Sequence, residues 1–132
     1  MKVIRIADIE GTEREVHCPR GGFASYRALL ASDGMGFSVH KTVVPAGQPQ
    51  FWQYKHHKEA CYCIAGRGVL TNYRTGEAFT IEPDTIYVLD KHDPHTLQAF
   101  EELVLVSIFN PPVTGREVHN EDGSYDLEVN NG

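Results

Sequence analysis

Positive charge is scarce in this sequence, and no part of it is dense in Lys or Arg. The 132 residues include 12 Lys and Arg against 18 Asp and Glu, which gives a formal net charge of −6. Nucleic acids and anionic membranes attract proteins through basic patches, so we expect neither as a partner. Long apolar runs are also missing, so no membrane span is expected. The acidic residue Asp8 lies too close to the N-terminus for a signal peptide. We therefore expect a cytoplasmic protein whose partners are small molecules or proteins.

Cysteine is also scarce. Cys18, Cys61 and Cys63 make an odd count, and the last two lie two residues apart on one predicted strand, which does not suit a disulfide framework. We expect reduced thiols that pack as small core residues, in preference to a soft-metal Cys-x-Cys pair. The length suits one domain over residues 1–132, with a polar tail at about 120–132 that we expect to be mobile.

Turn signals recur at short and fairly even intervals, as at Asp33-Gly34, Gly66-Arg67-Gly68 and Asp93-Pro94. The segments between the turns are rich in β-branched and aromatic residues, and several alternate apolar with polar side chains. Strands are predicted over residues 37–44, 60–65, 69–73, 78–81, 86–89, 96–100 and 103–109. This spacing predicts an all-β barrel or sandwich, with one short N-terminal helix or helical turn near residues 25–31.

Side chains able to bind a metal concentrate in residues 54–66 and 87–95. Residues i and i+2 of a strand face the same side, so the adjacent residues His56 and His57 cannot both point at one metal. In a closed barrel, Glu59, Tyr87 and His95 can converge on the lumen although they are distant in sequence. A carboxylate, a phenol and an imidazole suit a divalent metal such as Fe(II), Mn or Zn. Taken alone, Tyr87 would more often be a packing residue.

Two motifs in these segments resemble those of the cupin superfamily. Glu59 and Gly66 form Glu-x6-Gly, the second half of the first motif, and His95 ends the second motif where its metal histidine lies. Gln53 and Lys55 stand where the first motif usually has a His-x-His pair, so an ordinary three-histidine cupin site cannot form. The resemblance implies a single-domain cupin β-barrel of the jelly-roll type.

Nearly the whole chain resembles the ectoine synthase family, with matching segments at residues 25–27, 33–42, 54–68, 86–95 and 114–125. The resemblance implies a homodimer and an iron-type metal, Fe(II) before Zn or Mn, held by Glu59, Tyr87 and His95. It also implies a substrate pocket lined by Phe23, Ser25, Thr42, Tyr54, Ser107, Phe109, Glu117 and His119. The family usually has Trp at position 23 and Cys at position 107. The resemblance therefore implies that Phe23 and Ser107 line the pocket, but it does not imply the chemistry of their side chains.

The implied reaction is an intramolecular ring closure. In N-γ-acetyl-L-2,4-diaminobutyrate the α-amine attacks the acetamide carbonyl, and loss of water gives a cyclic amidine, with the metal as Lewis acid. His119, backed by Glu117, is the candidate acid and base, and Tyr54 joins the catalytic set. Arg27, with Ser25 and Thr42, is the candidate partner of the substrate carboxylate.

Some questions stay open at this point. Because Phe23 and Ser107 depart from the family pattern, a second interpretation stays open. It is a related cupin enzyme that cyclises or hydrolyses another small N-acyl amino acid. A non-catalytic cupin that binds a small ligand is the third interpretation. His40 is either a lumen residue alongside Thr42 or a core histidine.

Overall fold

The protein is built almost entirely from β-strands, and the computed structural model describes residues 1–18 and 22–115. The predicted all-β fold is confirmed. Short 3-10 helices cover Ile6–Asp8 and Ala31–Asp33. The strands are β1 (Glu15–His17), β2 (Ala24–Leu29), β3 (Ser38–Val44), β4 (Gln50–Trp52), β5 (Lys58–Asn72), β6 (Ala78–Ile81), β7 (Thr85–Leu89) and β8 (His95–Asn110). Within the described ranges no helix is long and apolar enough to cross a membrane.

The long strands β5 and β8 organise the sheet, because they pair with each other along most of their length and each belongs to two halves of the fold. In one half, the start of β5 pairs with β7, and the end of β8 pairs with β3, which continues to β2 and β1. In the other half, the end of β5 pairs with β6, and the start of β8 pairs with β4. Side chains from both halves form one buried core.

The turn predicted at Gly66-Arg67-Gly68 is wrong, because β5 runs straight through it with shifts of register. A Cβ on Gly66 would lie 2.0 Å from the carbonyl oxygen of Glu102, and one on Gly68 would lie 2.3 Å from that of Gln98. These glycines therefore allow the β8 backbone to approach closely where both long strands change sheets. The strands predicted over residues 96–100 and 103–109 are likewise one continuous strand, β8, so the break predicted between them is absent.

The predicted short N-terminal helix or helical turn is confirmed as a 3-10 turn, but its predicted position near residues 25–31 is wrong, because most of that segment forms β2, which pairs with both β1 and β3. Its inward residues are Ser25 and Arg27, which are fully buried. A strand whose buried face is polar lacks the apolar alternation that identifies strands in a sequence. Strands β1 and β4 were not predicted, since three residues are too few to show a period.

Candidate functional site

A narrow cavity lies on the inner face of the barrel. Because strand residues alternate between two faces, β2, β3, β4, β5, β7 and β8 each direct side chains into it. The wall combines aromatic and aliphatic side chains with hydroxyl, imidazole, thiol and carboxyl groups. The lining residues are Phe23, Ser25, His40, Thr42, Val44, Trp52, Tyr54, Glu59, Cys61, Tyr87, Leu105, Ser107 and Phe109.

The cavity brings together most of the residues that were predicted to contact substrate. Six of them line it: Phe23, Ser25, Thr42, Tyr54, Ser107 and Phe109. Arg27 is not among the described lining residues. It is fully buried beside Ser25, whose Oγ accepts a hydrogen bond from Arg27 Nε at 3.4 Å. The predicted Glu117 and His119 lie outside the described residues.

Glu59 and Tyr87, two of the predicted metal ligands, line the cavity and share a polar cluster with Cys61 and Ser107. Cys61 lies opposite both Tyr87 and Ser107 in the sheet register. The Glu59 carboxyl hydrogen-bonds with Cys61 and Ser107, and Cys61 also hydrogen-bonds with Tyr87. Burial raises the pKa of Glu59 to about 8 and that of Tyr87 well above its usual range. A cation at this place would offset that desolvation and favour both anions.

His95, the third predicted ligand, is the first residue of β8 and lies opposite Trp52 of β4. Its Nδ1 is 2.9 Å from the carbonyl oxygen of Asp93. A carbonyl can only accept, so Nδ1 carries the proton and Nε2 keeps its lone pair, as in a metal-binding imidazole. The ring packs against Trp52 and Tyr54, with both centroid distances at 6.3 Å.

A carboxylate, a phenol and an imidazole are donor types that suit a divalent cation, and of the three predicted ligands Glu59 and Tyr87 line the cavity whereas His95 is not among its lining residues. Among residues 1–18 and 22–115, no group of three or more His, Cys, Asp and Glu side chains is placed to hold a metal ion. The predicted set has only two residues of those types and takes its third ligand from Tyr87. Oxygen-rich mixed sets of this kind suit Fe(II) or Mn better than soft metals.

Gln53, which replaces a usual cupin histidine, has a structural contact. Its amide donates to the carbonyl oxygen of His92 at 3.2 Å. His92 Nδ1 in turn lies 2.9 Å from the carbonyl oxygen of Tyr54, to which it donates. The segment after β4 is thereby fastened to the segment before β8, and Tyr54 is held at the cavity wall.

His40 is a cavity residue, which the sequence had left open. It is 1% exposed, and its ring packs against Phe109 with centroids 5.2 Å apart. Burial, with the nearby charges of Arg27 and His57, lowers the pKa of His40 to about 3. The imidazole is therefore neutral at physiological pH.

Trp52 and Cys61 line the cavity but were not among the predicted site residues. Trp52 is the only tryptophan in the chain and packs edge-on against Phe23, with ring centroids 5.5 Å apart. Its exposed neighbour Phe51 shows the strand alternation that could have identified it, but β4 is too short for that signal. Cys61 was predicted to be a core thiol, and its shared face with Glu59 was the available clue. All three cysteines are free, as predicted.

The fold and the cavity define a small β-barrel protein of the cupin class. The cupin domain of Schizosaccharomyces pombe Cnp3 superposes on the chain with a TM-score of 0.57. It is 14% identical and covers 67% of this chain and 64% of that one, so it shows the fold alone.

Closer relatives give the family. The sequence profile described as ectoine synthase matches residues 1–129. The L-ectoine synthase of Desulfatibacillum aliphaticivorans is 51% identical over 125 residues, which are 95% of this chain and 96% of that protein. The crystal structure of ectoine synthase from P. lautus superposes with a TM-score of 0.85 at 39% identity, covering 100% of this chain and 95% of that one. The chain belongs to the ectoine synthase family.

Proposed function

We propose that the protein is a hydro-lyase that closes N-γ-acetyl-L-2,4-diaminobutyrate into ectoine with loss of water. The observation that carries the proposal is the single cavity in which the predicted ligands Glu59 and Tyr87 meet six predicted substrate residues. The family match over nearly the whole chain supports the same activity.

The cavity wall suits a small, flexible amino-acid derivative. Phe23, Trp52, Tyr54 and Phe109 surround it with aromatic rings, which exclude water and restrict the substrate chain. Holding the amine near the acetamide carbon makes the attack effectively unimolecular and supplies much of the rate gain in such reactions. The polar contacts come from few groups, including the hydroxyls of Thr42 and Ser107, which lie 2.9 Å apart.

Glu59, Tyr87 and His95 would hold the metal, which we propose to be Fe(II), with Zn or Mn as alternatives. A bound divalent metal would supply Lewis acidity toward a substrate carbonyl. The cluster around Glu59 and the Nδ1-protonated tautomer of His95 support this assignment. Proton transfer is assigned to His119 backed by Glu117, with Tyr54 at the cavity wall.

A related enzyme acting on another small N-acyl amino acid is the second candidate. The two family departures, Phe23 and Ser107, both line the cavity. Trp52 packs against Phe23 and Cys61 lies 3.5 Å from Ser107, so both changes alter the wall at the site itself. The pocket of this chain therefore differs in shape from the usual family pocket.

A cytoplasmic homodimer completes the proposal. Free thiols support a reducing compartment. Six large apolar side chains are exposed on β5, β7 and β8, and five of them form an outer apolar face, which comprises Tyr62, Ile64, Ile86, Val88 and Ile108. A second copy of the chain covering that face would remove it from water.

The test is turnover of chemically defined substrates by the metal-loaded protein. We expect N-γ-acetyl-diaminobutyrate to give the cyclic amidine by NMR, with no product from metal-free protein or from Glu59→Gln. The α-acetyl isomer is the matched control, since its free amine and its acetyl group have exchanged positions. Turnover of a longer N-acyl compound, with none of the N-γ-acetyl substrate, would favour the second candidate. Full metal loading with turnover of neither compound would contradict both.

A further inference from the structure

His40 has a ring nitrogen with nothing to bond to inside the described protein. The residue is 1% exposed and lines the cavity. Its Nδ1 lies 3.3 Å from Ser25 Oγ, whereas its Nε2 is fully buried and has no hydrogen-bond partner among the described residues. Buried polar atoms in folded proteins almost always have a partner, so an unsatisfied one at a cavity indicates a ligand.

The contacts on the other side of the ring indicate which nitrogen carries the proton. Arg27 Nε donates to Ser25 Oγ at 3.4 Å, because a guanidinium has no acceptor. The hydroxyl of Ser25 then has its own hydrogen left for His40 Nδ1. When Nδ1 accepts, the proton of the neutral ring is on Nε2. The chain from Arg27 through Ser25 to His40 therefore ends in an N–H donor at the cavity.

This donor is neutral. Burial and the charges of Arg27 and His57 keep the pKa of His40 near 3, so the ring has no second proton to release at neutral pH. It suits binding of an oxygen atom better than transfer of a proton. The sequence had assigned Arg27 and Ser25 directly to the substrate, whereas in the structure Arg27 donates to Ser25 and Ser25 contacts His40.

We propose that His40 is a further substrate-binding residue, which donates from Nε2–H to a carboxylate or carbonyl oxygen of the substrate. Ser25 and Arg27 are positioning residues that fix its tautomer. The proposal rests on the proposed function, because it assigns a contact within that same site.

Substitutions that keep or remove the donor test this role. Gln places an amide nitrogen near the position of Nε2, whereas Asn places one near Nδ1, and Leu supplies neither. We expect His40→Leu and His40→Asn to lower kcat/KM by about 10- to 100-fold, the effect of one hydrogen bond to a charged group. His40→Gln should stay within about threefold of the wild type, while Ser25→Ala should fall between, since the ring is kept and only its tautomer is freed.

Binding and metal content are measured on the same proteins. Trp52 is the only tryptophan and lines this cavity, so its emission reports substrate entry directly. We expect weaker substrate binding in His40→Leu with unchanged metal content, and no change in the control His56→Leu, whose histidine is exposed. N-acetyl-1,3-diaminopropane lacks the carboxylate. If it binds wild type and His40→Leu equally, the acceptor is the carboxylate; if the defect persists, it is the acetamide oxygen.

A spectroscopic readout separates contact from packing. With ¹⁵N-labelled histidine, we expect the Nε2–H tautomer in the free protein and a shift of the Nε2 signal when substrate is added. An Nδ1–H tautomer, or unchanged kcat/KM in a metal-loaded His40→Leu or His40→Asn protein, would overturn this inference alone. No turnover by the wild-type protein would overturn the proposed function together with it.

Discussion

The two faces of strands β5, β7 and β8 both depart from those of an ordinary sheet: buried polar groups lie among the apolar residues of the inner face, and large aliphatic groups are exposed on the outer one. The inner face carries Glu59, Tyr87 and Ser107, all less than 10% exposed, whereas the outer face carries Ile86 and Val88 at 62% and 59% exposed. Polar groups are usually outside and large aliphatic groups inside. The proposed function gives each face an occupant: a cation and a substrate for the inner face, and a second copy of the chain for the outer one.

The largest expected effect comes from the inner face. Tyr87→Phe removes the phenol oxygen but keeps the ring, so we expect loss of most bound metal and a drop in turnover of roughly 1,000-fold, as for other directly reacting groups. Glu59→Ala and His95→Ala should behave alike. The matched control is Tyr62→Phe on the outer face of β5, where the hydroxyl bonds Asp84. Metal analysis decides, and full occupancy in Tyr87→Phe would remove this residue from the site.

The outer face should be sensitive to charge instead. Ile86→Asp places a carboxylate in the middle of the outer apolar face. We expect the dissociation constant of the dimer to rise by about 100-fold or more, because an unpaired charge would be buried at the interface. Sedimentation at several concentrations measures this. Phe100→Asp is the control, because Phe100 is equally exposed but outside that face. Equal dissociation of both variants would show that the outer apolar face is not the interface.

The two faces of β4 offer a finer comparison. Trp52 fills the space beside Phe23, so Phe23→Trp should overpack the cavity and lower turnover by about 10-fold. Adding Trp52→Leu should restore part of that loss, because one large ring is then removed. Phe51→Leu, on the outer face of the same strand, should leave turnover unchanged. Strictly additive effects of the two inner substitutions would contradict this packing.

The last comparison concerns the pH dependence of stability in the metal-free protein. The pKa of Glu59 is raised from 4.5 to about 8 in the folded state, so the folded state holds this proton more tightly than the unfolded chain. The contribution to stability is complete below pH 4.5 and is lost as pH rises through 8, with a slope of at most about 1.4 kcal/mol per pH unit. Glu59→Gln should flatten this slope in urea unfolding experiments. An unchanged slope would show that Glu59 titrates normally.

The sequence predicted the inner face well wherever strands were long enough to show a period of two. Glu59 and Cys61 could be placed on one face because β5 extends beyond them on both sides. Trp52 could not, since β4 has three residues, and Ser25 and Arg27 were read as helical because the buried side of β2 is polar. Gly66 was taken for a turn because its local signal is the same, whereas its actual cause is the approach of β8, which is distant in sequence.

The sharing of β5 and β8 between both halves of the fold also has a dynamic consequence. Neither half can open by itself, because separating one would break the hydrogen bonds that both long strands make in the other. Local unfolding should therefore merge with global unfolding, and the amides of β5 and β8 should exchange with solvent with one common free energy of opening. The cavity walls that these two strands form should therefore be among the last parts of the protein to open.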